Sequence, residues 1–415
     1  MPRRLTLLAL LLFPLALHAD NWPGWRGPRG DGTSAETAVP LKWSATENLR
    51  WKTPIPGVGH SSPVVWGDHI FVTSCEELPG KPRTGNRLLL CIDRRKGNVL
   101  WQRTLLTAPL EEKHGLNSYA SSTPATDGKH VWVTFLQNND IQVFCYDFAG
   151  NKVWQRSPGT FFSKHGFCSS PVLYKDLLIV NADQDAVGYL VAFDKDTGDE
   201  KWRTDRPNQT RSYCVPVLAE AAGRTQLVLS GSKCVAGYDP ATGKQLWILD
   251  GPTEQYVASL VYQDGLLFLT TGYPDYHLMG IRPDGTGNVT RTHVAWHHKK
   301  LPAKHASYVP SPIAHGHHFY VVSDLGVLSC LETRTGRVVY REQLGPHHSA
   351  SPVSVGDHLF FTDDQGVTHV IQAGPEFREV AQNDIGENCY ASPAVSNGEM
   401  FLRGVRHLYC IGSGK

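Results

Sequence analysis

From residue 48 to residue 414 the chain alternates short apolar runs with turns rich in Gly, Asp and Asn. That is the pattern of β-strands joined by tight turns. Two kinds of half-unit recur. One reads as a strand, a Gly/Asp turn and a second strand: "SSPVVWGDHIFVTS" (61–74) returns as "SSTPATDGKHVWVTF" (121–135), "CSSPVLYKDLLIVN" (168–181), "VPSPIAHGHHFYVVS" (309–323), "SASPVSVGDHLFFTD" (349–363) and "YASPAVSNGEMFLR" (390–403). "CVPVLAEAAGRTQLVLS" (214–230) and "ASLVYQDGLLFLTT" (258–271) are looser copies. The other half is a strand, an acidic residue, a turn ending in Gly and an aromatic four residues later, as in Gly97–Trp101, Gly150–Trp154, Gly198–Trp202, Gly243–Trp247 and Gly336–Tyr340. A degenerate copy carries an insertion before Trp296.

Joined, the halves give four short strands in about 40–60 residues, the period of a β-propeller blade. The entries at Pro63, Pro124, Pro171, Pro216, Leu260, Pro312, Pro352 and Pro393 predict eight blades. The last unit stops at "HLYCIGSGK", one strand short, and "NLRWKTPIP" (48–56) offers the missing strand with Trp51 as its aromatic. An N-terminal strand is therefore expected to close the ring and remove the exposed sheet edges. A four-stranded sheet cannot cover both of its faces. Trp51, Trp101, Trp154, Trp202, Trp247, Trp296 and Tyr340 are expected as structural docking residues between blades, each worth about 2–3 kcal/mol if fully buried.

This unit resembles the repeat of pyrroloquinoline quinone (PQQ) dehydrogenases, Ala-x-Asp-x-x-Thr-Gly-x-x-x-Trp, which "AFDKDTGDEKW" (192–202) and "AGYDPATGKQLW" (236–247) match closely. The chain is similar to bacterial exported PQQ-like β-propellers of the BamB-like kind, whose W-P-x-W-R-G-P-x-x-x-G start resembles Trp22–Gly32 and which share "NSYASSTPATDG" (117–128). The resemblance implies an all-β, eight-bladed propeller of four-stranded antiparallel blades. It also implies one of two roles. One is a non-catalytic binding or scaffold protein; the other is a dehydrogenase of alcohols or sugars holding PQQ with Ca²⁺. The chain has no adjacent cysteine pair, no CxxCH haem motif and no lipobox cysteine, features that mark many quinoprotein dehydrogenases or BamB itself. No cofactor is expected, with PQQ and calcium as the alternative that the resemblance brings.

The organisation expected is an export signal at 1–19, an N-terminal surface segment at 20–47 and the propeller at 48–415. Arg3 and Arg4 precede an apolar run, Leu5 to Leu17, of signal length and too short to span a bilayer. An uncleaved anchor is the other reading. No later apolar run approaches 18 residues, so a periplasmic or secreted monomer without a transmembrane span after signal removal is expected. Forty basic and 39 acidic residues leave a formal charge of +1, which argues against a nucleic-acid partner and leaves a protein or a small molecule. "NWPGWRGPRGDG" (21–32) suits neither helix nor long strand and is expected to pack on the propeller through Trp22 or Trp25, with Arg26 reaching carbonyls or carboxylates that loops leave unpaired.

Cys91, Cys145, Cys330 and Cys410 recur at one place in the repeat and read as buried small residues, whereas Cys168, Cys214 and Cys389 sit at strand entries where a disulfide or metal role stays open. Polar residues leading into the first strands are expected to ring one channel mouth: His60, His114, Asn117, His165, Arg211, Glu254, Gln255, His305, His347, His348, Glu387 and Asn388. Together they read either as a site for an anionic small molecule or a metal, or as a hydrated rim. "NADQD" (181–185) and "DDQG" (363–366) suggest calcium only faintly. No G-x-S-x-G elbow, H-E-x-x-H motif or phosphate-binding glycine loop occurs, so no catalytic residue is assigned.

Overall fold

The computed structural model describes residues 21–414; the export-signal reading of residues 1–19 lies outside them. Eight sheets follow one another around a ring. Blade 1 comprises Val64–Trp66, His69–Glu77, Thr84–Asp93 and Val99–Pro109, innermost to outermost. Blades 2 to 7 repeat this order over 125–160, 172–206, 217–250, 261–301, 313–343 and 353–384. Blade 8 takes three strands from 394–411 and its fourth, Leu49–Pro54, from the N-terminus. Trp51 pairs with Cys410 and Lys52 with Tyr409. Each first strand begins one residue after the expected entry position, so the eight-blade reading and the ring closure both hold.

The repeated aromatic acts across blades. The Trp51, Trp101, Trp154, Trp202 and Trp296 indoles each donate to a backbone carbonyl in the next blade's outer turn, at Arg94 (2.8 Å), Phe148 (2.8 Å), Lys195 (3.0 Å), Pro240 (3.2 Å) and Thr333 (2.9 Å). The turn glycine of that next blade lies flat on the ring. A Cβ on Gly150 would come within 2.9 Å of Trp101, and one on Gly198 within 2.8 Å of Trp154; both glycines hold positive φ. Opposite each aromatic, on the third strand, stands a small residue: Cys91, Cys145, Ala192, Gly237, Gly280, Cys330 and Cys410. That accounts for the recurrent cysteines. All nine are free thiols, and burial pushes Cys168, Cys214 and Cys389 up to about 12.

The docking rings are less uniformly buried than expected. Trp247 (0% exposed) and Trp154 are buried, whereas Trp51, Trp101, Trp202, Trp296 and Tyr340 keep an exposed outer rim. The cause at Trp247 is the insertion in blade 5: Gly287–Asn288 adds a fifth, parallel strand to blade 4 opposite Trp247, and Gln226 takes the indole N–H (2.7 Å).

Blade 7 has Ala381 in the docking register, paired with Val370. The gap is filled from elsewhere in the chain. Trp43 stacks on Phe360 (6.5 Å, 21°), much as Trp51, Trp101 and Trp296 lie over Phe401, Phe71 and Phe268 within their own blades. Asn383 fixes it, accepting from Trp43 N–H (2.8 Å) and donating to the Leu41 carbonyl (3.0 Å).

A second seam runs around the channel. The residue before each entry position carries a hydroxyl in seven blades, and in six of them its oxygen accepts a backbone N–H from the preceding blade. Ser62 N–H donates to Thr123 (2.9 Å), Thr123 to Ser170 (2.9 Å), Val215 to Ser259 (2.9 Å), Ser259 to Ser311 (2.9 Å), Ser311 to Ser351 (3.0 Å) and Ser351 to Ser392 (2.9 Å). Val215 offers no hydroxyl, so the belt breaks between blades 3 and 4, and among the described residues no such bond joins blade 8 to Ser62 of blade 1.

Two expectations follow. Trp247→Ala should cost about 3–5 kcal/mol and Trp202→Ala distinctly less, because the cost of truncation tracks burial; equal losses on denaturant melting would contradict the packing described. Ser351→Ala should cost about 1–3 kcal/mol by stranding the buried Ser311 N–H, read in the same melts.

Candidate functional site

The inner strands carry their residues into the channel in two tiers, because alternate residues of an extended strand share a face. One tier, next to the entry position, is the hydroxyl belt. The other lies two residues earlier and comprises His60, Ser121, Cys168, Tyr213, Val257, Val309, Ser349 and Tyr390. Together with Trp25 they enclose a chamber of about 120 Å³ on the channel axis.

Trp25 reaches that chamber from the far end. The N-terminal segment crosses the opposite side of the channel, among the first hairpin turns. Asn21 accepts from Gly67 N–H (2.9 Å), and Glu36 accepts from Asn397 N–H (2.6 Å) and Gly398 N–H (3.2 Å). Trp22 is wholly buried and forms an antiparallel bridge with Val65, and Thr33 forms a parallel one with Ser354. Arg26, buried and at φ 62°, donates to the carbonyls of Asp31 (2.7 Å) and Pro312 (2.5 Å), as its sequence context suggested. The segment is thus a clasp across the end away from the histidines, with Trp25 as its one residue lining the chamber.

Of the residues expected at the mouth, some converge. The His60 ring lies 4.7 Å from Tyr390, whose hydroxyl accepts from the Asn388 amide (3.2 Å). His114 meets His165 edge-on at 5.6 Å, His165 lies 6.1 Å from Tyr213, and the Asn117 amide donates to the His165 carbonyl (2.8 Å). His60 Nδ1 is 3.2 Å from the Leu116 carbonyl, which links the two clusters.

The others are engaged elsewhere. Arg211 pairs with Asp185 (2.6 Å), His347 with Asp364 (2.6 Å), and Glu387 with His407 (2.8 Å) while capping two backbone N–H groups. His348 is buried between the carbonyls of Leu344 (2.9 Å) and Thr362 (3.2 Å). Gln255 is buried and accepts from the Tyr308 hydroxyl (3.2 Å). His305 sits half-buried in a short 3-10 turn, its pKa lowered by burial and the Arg341 charge, and Glu254 is exposed.

Sequence reasoning overlooked Tyr213, Tyr390, Trp25 and Arg403. The first two could have been found from their register, three residues before Pro216 and Pro393, the register His60 holds before Pro63. Arg403 is 1% exposed behind His60. Its Nη1 donates to Ser61 Oγ (2.6 Å) and the Thr73 carbonyl (2.6 Å), while Nε and Nη2 find no acceptor among the described residues.

The donors do not fit a calcium-held quinone. The mouth carboxylates Asp185, Asp364 and Glu387 each serve an Arg or His partner. In "NADQD", Asp183 pairs with Arg206 and accepts from Ser212 (2.8 Å); in "DDQG", Asp363 closes a turn through Gln365 and Val367 N–H. Among the described residues no three His, Cys, Asp or Glu side chains are grouped to hold a metal.

With this geometry in view, the likenesses can be weighed. A family model described as outer membrane protein assembly factor BamB matches residues 85–273. No curated protein matches the sequence significantly. BamB from Moraxella catarrhalis superposes with a TM-score of 0.61 at 12% identity, covering 88% of this chain and 97% of its own. Quinohemoprotein alcohol dehydrogenase from Comamonas testosteroni gives 0.64 at 12% identity, covering 95% and 81%. The computationally designed Ika8 protein gives 0.62 at 11%, covering 87% and 98%. At such identities the likeness is one of fold. The chain is an eight-bladed β-propeller that the BamB family model matches over residues 85–273 and whose fold is similar to those of BamB and of a quinohemoprotein alcohol dehydrogenase.

Proposed function

We propose that this protein is an extracytoplasmic, non-catalytic binding protein that engages a protein partner or a small ligand at the mouth bearing His60, Tyr390, His114, His165 and Tyr213. The observation that carries the reading is the division of labour at that mouth. Asp185, Asp364, Glu387 and Arg211 are spent on internal pairs, and the channel-facing tier is uncharged: rings and hydroxyls with two valines and a cysteine. Burial and the Arg403 charge hold His60 down to about 4, and burial with the Arg211 charge lowers His165. Near neutral pH these two imidazoles are uncharged and recognise by hydrogen bonding and ring contact. Tyr and Trp supply much contact area at low entropic cost, as binding surfaces require. The signal-like residues 1–19 support the location.

Two tests follow. Reconstitution with PQQ and Ca²⁺ should give no dye-linked oxidation of alcohols or sugars; saturable turnover would overturn the reading in favour of the dehydrogenase. A photo-crosslinking residue at Asn388 should capture a discrete partner in living cells, and Tyr390→Ala should abolish the capture.

The electrostatics make a separate expectation. The native His60 ring resists a proton that the unfolded chain accepts at an ordinary value of 6.5. The unfolded state therefore binds more protons between that value and about 4, and the His60 contribution to stability is complete above the window and lost as pH falls through it. Proton NMR should place the His60 midpoint near 4, and Arg403→Met should move it upward. A wild-type midpoint at the ordinary value would show that the buried guanidinium does not act on the mouth.

A further inference from the structure

The opposite end of the channel carries a site of its own. Two residues after each entry position, the inner-strand residue turns its N–H and C=O away from the blade and toward the axis. Blades 1, 2 and 7 show what these groups take. Val65 exchanges both hydrogen bonds with Trp22 (2.8 and 2.9 Å), Thr126 N–H donates to the Pro23 carbonyl (2.8 Å), and Ser354 exchanges bonds with Gly32 and Ser34 (2.9 and 3.0 Å). Each time the partner is the extended N-terminal segment. The same register in blades 3, 4 and 5 falls on Leu173, Leu218 and Tyr262, and no backbone partner on the axial side is found for them among the described residues.

These three positions line a cavity of about 580 Å³, whose other wall is the segment itself from Pro23 to Thr33. The volume lies within the range of about 300–1,000 Å³ usual for ligand pockets. Its rim residues Pro28, Arg29 and Glu220 are exposed, so the cavity reaches solvent. Blade 4 has the longest first strand, Val217–Ala221, and pairing of Leu218 with Leu227 and Glu220 with Thr225 leaves both residues in the axial register. Blade 4 is also where the hydroxyl belt breaks, at Val215, which lines both the chamber and the cavity.

We propose that this cavity is a receptor for an extended peptide segment of a partner protein. The peptide adds its main chain to the inner edge of blade 4 at Leu218 and Glu220, in the way the chain's own segment adds to blades 1 and 7. Main-chain bonds supply the affinity and the half-buried Leu173, Leu218, Tyr262 and Trp25 favour apolar side chains, the usual economy of strand addition. The site lies at the other end of the channel from the histidine mouth and shares only Trp25 and Val215 with the chamber there.

The test pans a random heptapeptide display library on the full chain, with the Leu218→Pro chain as counter-selection. Proline removes the axial N–H at a position that does not donate to the blade, which an edge strand tolerates. Peptides enriched on the wild type should bind the Leu218→Pro chain at least tenfold more weakly, slow amide exchange at Leu218 and Glu220, and bind the Tyr390→Ala chain unchanged. No enrichment over the counter-selection, or peptides that bind without altering exchange at Leu218 and Glu220, would overturn the proposal. If Leu218→Pro fails to fold by circular dichroism, Glu220→Pro replaces it and the exchange measurement on the wild type decides. Equal loss on Tyr390→Ala would place the peptides at the mouth instead.

Discussion

The structure depends on one constraint: a four-stranded blade has two apolar faces and covers neither alone. The contact that meets it is an aromatic ring laid on the turn glycine of the next blade, with its indole N–H on that turn's carbonyl. The ring buries apolar area, the glycine permits the approach and the hydrogen bond fixes the angle. Wherever the ring is missing, something replaces it. At blade 7 the substitute comes from more than 300 residues away in sequence, and Trp43 fills the place that Ala381 leaves. The N-terminal segment is for this reason part of the packing, and the closing strand Leu49–Pro54 follows directly from it.

The same segment divides the channel. It occupies the first-hairpin end, seals the axial edges of blades 1, 2 and 7, and sends Trp25 toward the entry end. A full seal would need as many axial partners as there are blades. A short segment cannot bond all of them, and among the described residues the axial positions of blades 3 to 6 have no backbone partner beneath it. The cavity there is a consequence of geometry, and its wall chemistry is set by the entry register.

How much of this was legible in the sequence depends on whether a feature repeats. The strand pattern and its docking aromatic repeat seven or eight times, and periodicity exposes them; ring closure followed from the one unit that lacks its fourth strand. The burial of Trp22 and the carbonyl contacts of Arg26 were legible from composition, since two tryptophans and a cluster of Gly and Pro demand a packed path. The mouth was only partly legible. Choosing residues by polarity within loops gathered His348, Glu387 and Arg211, which are held by carbonyls, by His407 and by Asp185. Choosing by register, three residues before each entry position, selects His60, Tyr213 and Tyr390 directly. Loop residues answer to whichever neighbour the loop folds against, and one sequence does not reveal that neighbour. A position counted back from the strand entry is inherited from the repeat. Trp43 was not legible for the same reason: its partner Phe360 belongs to another blade and no spacing connects them.

The ring therefore constrains function less than its regularity suggests. The seams are made by the docking aromatic, the turn glycine, the entry hydroxyl and the small residue on the third strand. Each is committed to a neighbouring blade and cannot vary without opening a seam. The tier three residues before the entries takes no part in those four contacts, and here it holds one histidine, two tyrosines, two serines, two valines and a cysteine. A propeller that shares its ring with BamB, with an alcohol dehydrogenase and with a designed protein is free to differ from all three at that tier. Rings and hydroxyls stand in five of those places, and the nearby Asp185, Asp364 and Glu387 each hold an Arg or His partner.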